Sequence, residues 1–447
     1  NTPTCSKDRP NTTDRLSDRK RPLHKKWVLH DMAFNDTGLS AENELLLCCA
    51  RTRLNDEALE RVRTLSREEL DWGHITRTAL THGVAPLLYS TLRATCPGAV
   101  PKTTLDRLRD LYRANVGHSF LLTAELLKLL ELFETHGIHA IPFKGPVLAA
   151  SAYRDFSLRQ FGDLDILVHK QNILRGGRLL VLQGYRRSGS DDGEAREHED
   201  HEEIAFLRPK FHAFVRQDRG IRIDLQWRVT EKYFSFSLDK EPLWERLAPV
   251  SIAGRTVLTF APMDMLLILC VHGSKHRWEK LKWICDVAEL VGVHKNAIDW
   301  EKIRQEAARQ GAERMLRLGL LLAHEFLGAA LPEEISQEVQ ADFETHSVAR
   351  EIRARFFSLG DRPRGDFSKV MFYLRTKDRL RDRLQFCFRY LSQYLQAVVT
   401  PTAKEAAALP LPASLFFLYY FFRPLRLTAK YGRLGWTVLC KGKNSPS

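Results

Sequence analysis

A change of hydrophobic period constrains this chain more than any other feature. From Leu105 to His136 apolar residues recur at helical spacing (Leu105, Leu108, Leu111, Val116, Phe120, Leu126, Leu129, Phe133), and Gly137 follows as a helix stop. At Ile138 the period drops to two. Ile138–Phe143 reads as a strand, Lys144-Gly145-Pro146 as a turn with Pro146 at a first helical position, and Val147–Arg154 as a short helix. Asp163–Val168 reads as a second strand and Asn172–Gln183 as a helix stopped by Gly184. Ile204–Leu207 reads as a third strand, and Phe211–Gln217 with Ile221–Trp227 as a hairpin around Asp218-Arg219-Gly220. Helical patterns return at 263–276, 279–291, 300–310 and 313–327. A small sheet-containing unit between helical stretches implies an α+β fold.

The period changes divide the sequence into residues 1–31, 32–137, 138–232, 233–349 and 350–447. The first segment is polar and lacks an apolar period, so it is expected to be a disordered leader, or a non-native one with Met32 as the biological start. Segment 32–137 is expected to be helical, 138–232 to be the catalytic unit, 233–349 to be helical and to contact substrate or nucleotide, and 350–447 to be basic and helical. Over 447 residues the composition is 44% hydrophobic and 28% charged, which excludes disorder for most of the chain. The formal charge is +13. From Arg350 onward 19 basic and 6 acidic residues account for all of it, so the remainder is balanced. Eight cysteines without a C-x-x-C pair argue against a disulfide framework or zinc ribbon. With no early apolar run to act as a signal peptide, a cytoplasmic location is expected. The longest apolar run, Leu415–Phe422, is far short of the roughly 20 residues that span a bilayer, and reads as a buried helix or a membrane-surface element.

The chemistry concentrates in the sheet unit. Asp163 and Asp165 are two apart on a strand and leave the same face, while Leu164 and Ile166 point to the other. On the later strand Arg222, Asp224 and Gln226 share a face opposite Ile221, Ile223, Leu225 and Trp227. If these strands are neighbours, Asp224 approaches the pair. Three such carboxylates repel one another unless a cation sits among them, and Mg²⁺ takes carboxylate oxygens together with substrate phosphates. Lys144 and Gly145 lie where a strand opens into a helix, a place where backbone N–H groups and a lysine can meet phosphate. A lone D-x-D is a solvated turn or strand end in most sequences, and strand–Lys-Gly–helix is often only a tight turn. The third carboxylate on an alternating strand is what joins them.

With Ile141–Gly145, Arg159–Val168, Gly184-Tyr185 and Ile223–Trp227 in this order, the chain resembles the bacterial nucleotidyltransferase-like proteins of the DNA polymerase β nucleotidyltransferase superfamily, over about residues 39–432. The resemblance extends to His272–Asp286, Leu409–Pro412 and Tyr419–Arg426. It implies a small mixed-sheet, polymerase-β-type core flanked by N-terminal and C-terminal helical segments. It implies Asp163, Asp165 and Asp224 as metal ligands, with Asp224 also a possible base, Lys144 and Gly145 in the phosphate loop, and Lys275 lining the nucleotide pocket. Where that superfamily usually has Gly-Gly or Gly-Ser, this chain has Lys144-Gly145-Pro146, and where many relatives carry histidine it has Gln226. The implied reaction is Mg²⁺- or Mn²⁺-dependent transfer of a nucleoside monophosphate from an NTP to a hydroxyl or phosphate of a small molecule, sugar or peptide, releasing pyrophosphate. The alternatives are a non-catalytic scaffold on the same fold in a biosynthetic cluster and a D-x-D glycosyltransferase; the third aspartate on its own strand argues against the latter.

Other candidates are expected to be structural. His272 and His276 have a metal-binding i,i+4 spacing, but packing near Trp278 and Trp283 ranks above zinc, with a pocket-lining role beside Lys275 as a third option. Asp286 reads as a capping or ion-pair residue, Arg159 as a phosphate contact or a surface ion pair, and Glu194–Glu203 as a solvated loop. The mixture of Arg375, Lys377, Arg379, Arg381 and Arg383 with Phe386, Phe388, Tyr390 and Tyr394 reads first as an amphipathic helix with a cationic outer face. A peripheral membrane or an acidic partner could use residues 350–447; no nucleic-acid motif accompanies the charge, which argues against nucleic acid.

Overall fold

The period-two region builds a five-stranded mixed sheet. The structure is a computed structural model and describes residues 39–188, 211–230, 242–357, 366–399 and 418. Strands β1 (Ala140–Phe143), β2 (Leu164–Val168), β3 (Arg186–Arg187), β4 (Phe211–Arg216) and β5 (Ile221–Gln226) lie in the order β1-β2-β5-β4-β3. β2 runs parallel to β5 and antiparallel to β1, while β4 is antiparallel to both β5 and β3. The strand expected at Ile204–Leu207 and the acidic run Glu194–Glu203 lie outside the described residues.

Among the described residues, five helices precede the sheet: α1 (Ala41–Cys49), α2 (Asp56–Leu65), α3 (Trp72–His82), α4 (Ala85–Thr95) and α5 (Lys102–Thr135). Side chains of Ser40, Asn55 and Asp71 accept from backbone N–H groups in the first turns of α1, α2 and α3, as polar N-caps do. The periodic face of α5 (Leu122, Leu126, Leu129, Phe133) and helix α7 (Ile173–Leu182) close one core with Ile166, Phe214, Ile223 and Leu225 of the sheet. Alternation along β2 and β5 therefore turns the polar residues of these strands away from that core. Between β1 and β2 lie the four-residue helix α6 (Gly145–Leu148) and a π-helical turn, Ala149–Tyr153.

The stretch expected to be helical from 233 contains a second, two-stranded sheet. After the short α8 (Pro242–Glu245), β6 (Leu247–Ile252) and β7 (Arg255–Phe260) form an antiparallel hairpin through Ala253-Gly254, both at positive φ. Ile252 and Val257 join the main core, Phe260 packs on Phe143 at 5.5 Å between ring centroids, and Thr259 Oγ1 donates to the Pro142 carbonyl at 2.8 Å. The hairpin thus braces β1 just before the loop that carries Lys144.

The remaining helices are α9 (Pro262–Lys275), α10 (Leu281–His294), α11 (Trp300–Gln310), α12 (Glu313–Leu327), α13 (Glu333–Ala341), α14 (Phe343–Phe356), α15 (Asp366–Arg375) and α16 (Leu380–Val399). The N-terminal helices hold α10 directly. Glu289 accepts from the Thr52 amide and hydroxyl at 2.7 and 2.6 Å, and His82 Nδ1 accepts from the Leu281 amide at 3.1 Å. Among the described residues no helix is long and apolar enough to cross a membrane, and the six described cysteines are free.

The expected cationic outer face of the last described helix is replaced by an apolar one. Arg375 pairs with Glu344 and Glu351, Arg379 with Glu313, and Lys377 is buried with Nζ donating to the Gly311 carbonyl at 2.9 Å. Burial pulls the Lys377 ammonium down to about 8. Lys377 is consumed inside the fold, and Arg375 and Arg379 are neutralised by carboxylates of other helices. Leu380, Leu384 and Phe388 point outward instead.

Candidate functional site

Parallel pairing of β2 and β5 puts Asp165 opposite Asp224, and Asp163 immediately precedes β2. On the other side of β2, Phe143 lies opposite Asp165, so the chain leaves β1 beside this carboxylate. The turn there is sharp: Lys144 has φ 58° and ψ −144°, a conformation that favours glycine, and Gly145 follows at φ 40°. This places Lys144 Nζ 3.6 Å from Asp165 Oδ2 and 3.3 Å from His272 Nδ1 on α9. An ammonium has no lone pair to accept with, so in this contact Lys144 is the donor. Gln226, on the same face as Asp224, donates Nε2 to Asp165 Oδ1 at 2.5 Å, and Arg222 Nε donates to Asp224 Oδ1 at 3.1 Å. The structure thus brings together Asp163, Asp165, Asp224, Lys144 and Gly145. It gives Gln226 an orienting contact that an amide can make as well as an imidazole.

Burial raises the Asp163 carboxyl above its ordinary value, and the neighbouring Asp165 charge pushes it the same way; Lys144, Lys282 and Arg222 pull it down. Asp224 is also raised, first by burial, with Asp165 adding to it and Arg222 opposing. This is the electrostatic signature of carboxylates short of positive charge. The donor chemistry, carboxylate oxygens in excess, fits a hard divalent cation. In this conformation no three His, Cys, Asp or Glu side chains among the described residues are gathered closely enough to hold a metal ion. Asp165 is turned to Lys144 and Gln226, and Asp224 to Arg222, so these contacts would have to loosen for an ion to enter.

A second charged cluster sits behind the same loop. Arg159 donates from Nε and Nη2 to the two oxygens of Asp286 on α10 at 2.8 and 2.9 Å, and Tyr153 Oη donates to Asp286 Oδ1 at 2.8 Å. Arg159 Nη1 also reaches the Gly145 carbonyl at 3.4 Å. Arg159 and Asp286 are nearly inaccessible, at 6% and 2% side-chain exposure. Arg159 is therefore neither a surface ion pair nor a phosphate contact, and Asp286 is its buried partner. Burial opposes the Arg159 charge, but Asp286 outweighs it and holds the guanidinium protonated. Burial, and then Asp286, push the Tyr153 hydroxyl well up.

One functional candidate has no signal in the sequence. Lys282, in the first turn of α10, has a lowered pKa, caused first by burial and then by Arg159, while Asp286 and Asp163 favour its charge. Its stem passes the αL glycine Gly83 at the end of α3; a Cβ there would lie 2.8 Å from Lys282 Cδ. Only the packing of α3 on α10 makes that path, so no local pattern announces it.

His272 and His276 lie with ring centroids 4.6 Å apart, and both pack on Trp283, at 5.7 and 5.0 Å. Trp278 is fully buried behind Gly273 instead. Lys275 ends α9, and its carbonyl accepts from Tyr373 Oη at 2.7 Å. From the same helix, His272 reaches the loop that carries Lys144.

No curated protein and no solved structure matches the chain. A family model described as "Uncharacterised nucleotidyltransferase" matches residues 68–328, more than half of it, from α3 to the end of α12 and including both charged clusters. The chain belongs to that nucleotidyltransferase family.

Proposed function

We propose that this protein transfers a nucleoside monophosphate from an NTP to a hydroxyl or phosphate of a small molecule, sugar or peptide, releasing pyrophosphate, with Mg²⁺ or Mn²⁺ held by Asp163, Asp165 and Asp224. The observation that carries the reading is the opposition of Asp165 and Asp224 on adjacent parallel strands, with Asp163 one step away and Lys144 against Asp165. When bound, the cation would neutralise triphosphate oxygens and make an acceptor hydroxyl more acidic. The acceptor oxygen forms a bond to the α-phosphorus, the bond from that phosphorus to the β-phosphate oxygen breaks, and pyrophosphate leaves. Asp224, raised by burial towards the range where a carboxylate takes protons effectively, accepts the acceptor's proton. Lys144 would turn from Asp165 to neutralise the triphosphate, with Lys282 as a second cation and His272 Nδ1 facing Lys144 from α9. The rings of His272, His276 and Trp283, tilted against one another, offer aromatic faces against which a base can stack, in a pocket that Lys275 was expected to line.

The engagement of all the resting contacts within the protein favours one second reading, a non-catalytic scaffold. One experiment separates the two. The protein and Asp163→Ala/Asp165→Ala are incubated with each labelled NTP, Mg²⁺ or Mn²⁺ and a host extract. The enzyme reading expects pyrophosphate from the wild type and background from the variant. If wild type neither forms pyrophosphate nor binds NTP at millimolar Mg²⁺, the scaffold reading takes its place.

A further inference from the structure

Helix α16 is built with two unequal sides. Phe386 is fully buried and packs on Tyr390 and Tyr373, with ring centroids at 5.7 and 5.9 Å, which docks the helix on the rest of the fold. Away from that contact lie Leu380, Leu384, Phe388, Leu391 and Leu395, each between 51% and 74% exposed. At 100° per residue they fall within one narrow stripe, about 22 Å long at 1.5 Å per residue. Intervening and flanking positions carry no acidic side chain on this face; Asp382 lies towards the docked side, beside Gly311. Five large apolar residues in a continuous exposed row are more than the scattered surface hydrophobes of an ordinary soluble surface.

We propose that this stripe lies on an anionic lipid surface, with the helix parallel to the membrane plane. Charge decides between occupants. The part of the chain beyond Val399 holds seven Lys or Arg against one Glu, and Arg381 is exposed beside the stripe. A second copy seated on the stripe would bring an equal positive charge against it, whereas anionic headgroups are attracted to it. An acidic protein would be expected to meet exposed cations. Arg375 and Lys377 are instead engaged within the fold, Arg379 is exposed but paired with Glu313, and the exposed side of α16 is apolar beside Arg381. Apolar side chains that enter the acyl boundary, helped by diffuse positive charge nearby, are the recipe for an interfacial helix. The absence of a spanning helix among the described residues agrees with lying on the bilayer rather than crossing it. The proposal does not depend on the catalytic reading, because lipid binding needs no turnover.

The test is flotation of the full chain with phosphatidylcholine vesicles, with and without phosphatidylserine. Binding is expected with phosphatidylserine only and weakens as salt is raised. Phe388→Ser with Leu391→Ser should reduce the bound fraction roughly ten- to hundredfold, given the apolar area withdrawn. Leu182→Ser, at an exposed leucine remote in sequence, should change nothing. If the first pair fails to fold, Leu384→Ser with Leu395→Ser repeats the measurement. No binding to phosphatidylserine vesicles overturns the proposal, as does binding that the stripe variants leave intact. Light scattering that shows a dimer of the wild type, lost in the stripe variants, with no vesicle binding, assigns the stripe to a second copy instead.

Discussion

Two clusters of buried charge flank Gly145, and they are built on opposite rules. Behind the loop, Arg159, Asp286 and Tyr153 form a closed set: both oxygens of the carboxylate are used, and the third guanidinium nitrogen donates to the Gly145 carbonyl. In front of it, burial and the neighbouring Asp165 charge raise Asp163 and Asp224, and the cations that oppose this sit looser: Lys144 at 3.6 Å from Asp165 and the half-exposed Arg222. A matched cluster fixes geometry, because every group would lose its partner by moving. A mismatched one stores unfavourable charge that a ligand can relieve. The first holds α10 and the loop that carries Lys144 in register beside the second.

Breaking each cluster should give opposite phenotypes. In the open cluster, Asp224→Asn keeps the hydrogen-bonding shape but removes the proposed base, so pyrophosphate release should fall about 10²- to 10⁴-fold while the melting temperature does not fall. If the rate survives, Asp224 is not the base. In the closed cluster, Asp286→Ala leaves Arg159 charged and buried, and denaturant unfolding should show a loss of about 3–5 kcal/mol. A loss below about 1 kcal/mol would mean that water replaces the partner and that the cluster is not closed.

Smaller effects sharpen the contrast. Lys144→Ala and Lys144→Gly remove the same ammonium, and both should weaken NTP binding. The glycine variant should nevertheless be about 1–2 kcal/mol the more stable, because the left-handed backbone at this position strains any side chain. Equal stabilities would show that the turn relaxes. Asp163 gives the smallest shift. Its folded pKa lies above the ordinary 3.8, so the folded state holds the proton more tightly, and the ionised form costs stability once pH exceeds the folded value. Asp163→Asn should raise the melting temperature at neutral pH by a degree or two, with the gain vanishing below pH 3.8, where both states are protonated. Mg²⁺ should stabilise the wild type at neutral pH and leave this variant less affected.

The pattern of the sheet was legible because alternation is local. Asp163 and Asp165, and Arg222, Asp224 and Gln226, declare their faces by spacing alone. The β6–β7 hairpin was legible too, through the alternation around Ala253-Gly254, but a helical reading of the segment from 233 passes over it. Arg159 misleads, because nothing near it in sequence reveals that Asp286 lies against it, 127 residues away. The basic run at Arg375–Arg383 misleads for the same reason: its acidic partners, Glu313, Glu344 and Glu351, come from other helices.

The sequence by itself determined the class of the fold, the strand that carries Asp163 and Asp165, and the family to which the chain belongs, since each follows from short-range period and motif. Tertiary structure decided which charges are matched. Whether a buried carboxylate meets a guanidinium, as Asp286 does, or other carboxylates, as Asp163 does, depends on which helices the core presses together. That is set by apolar packing between distant segments, and charge along the chain carries no record of it.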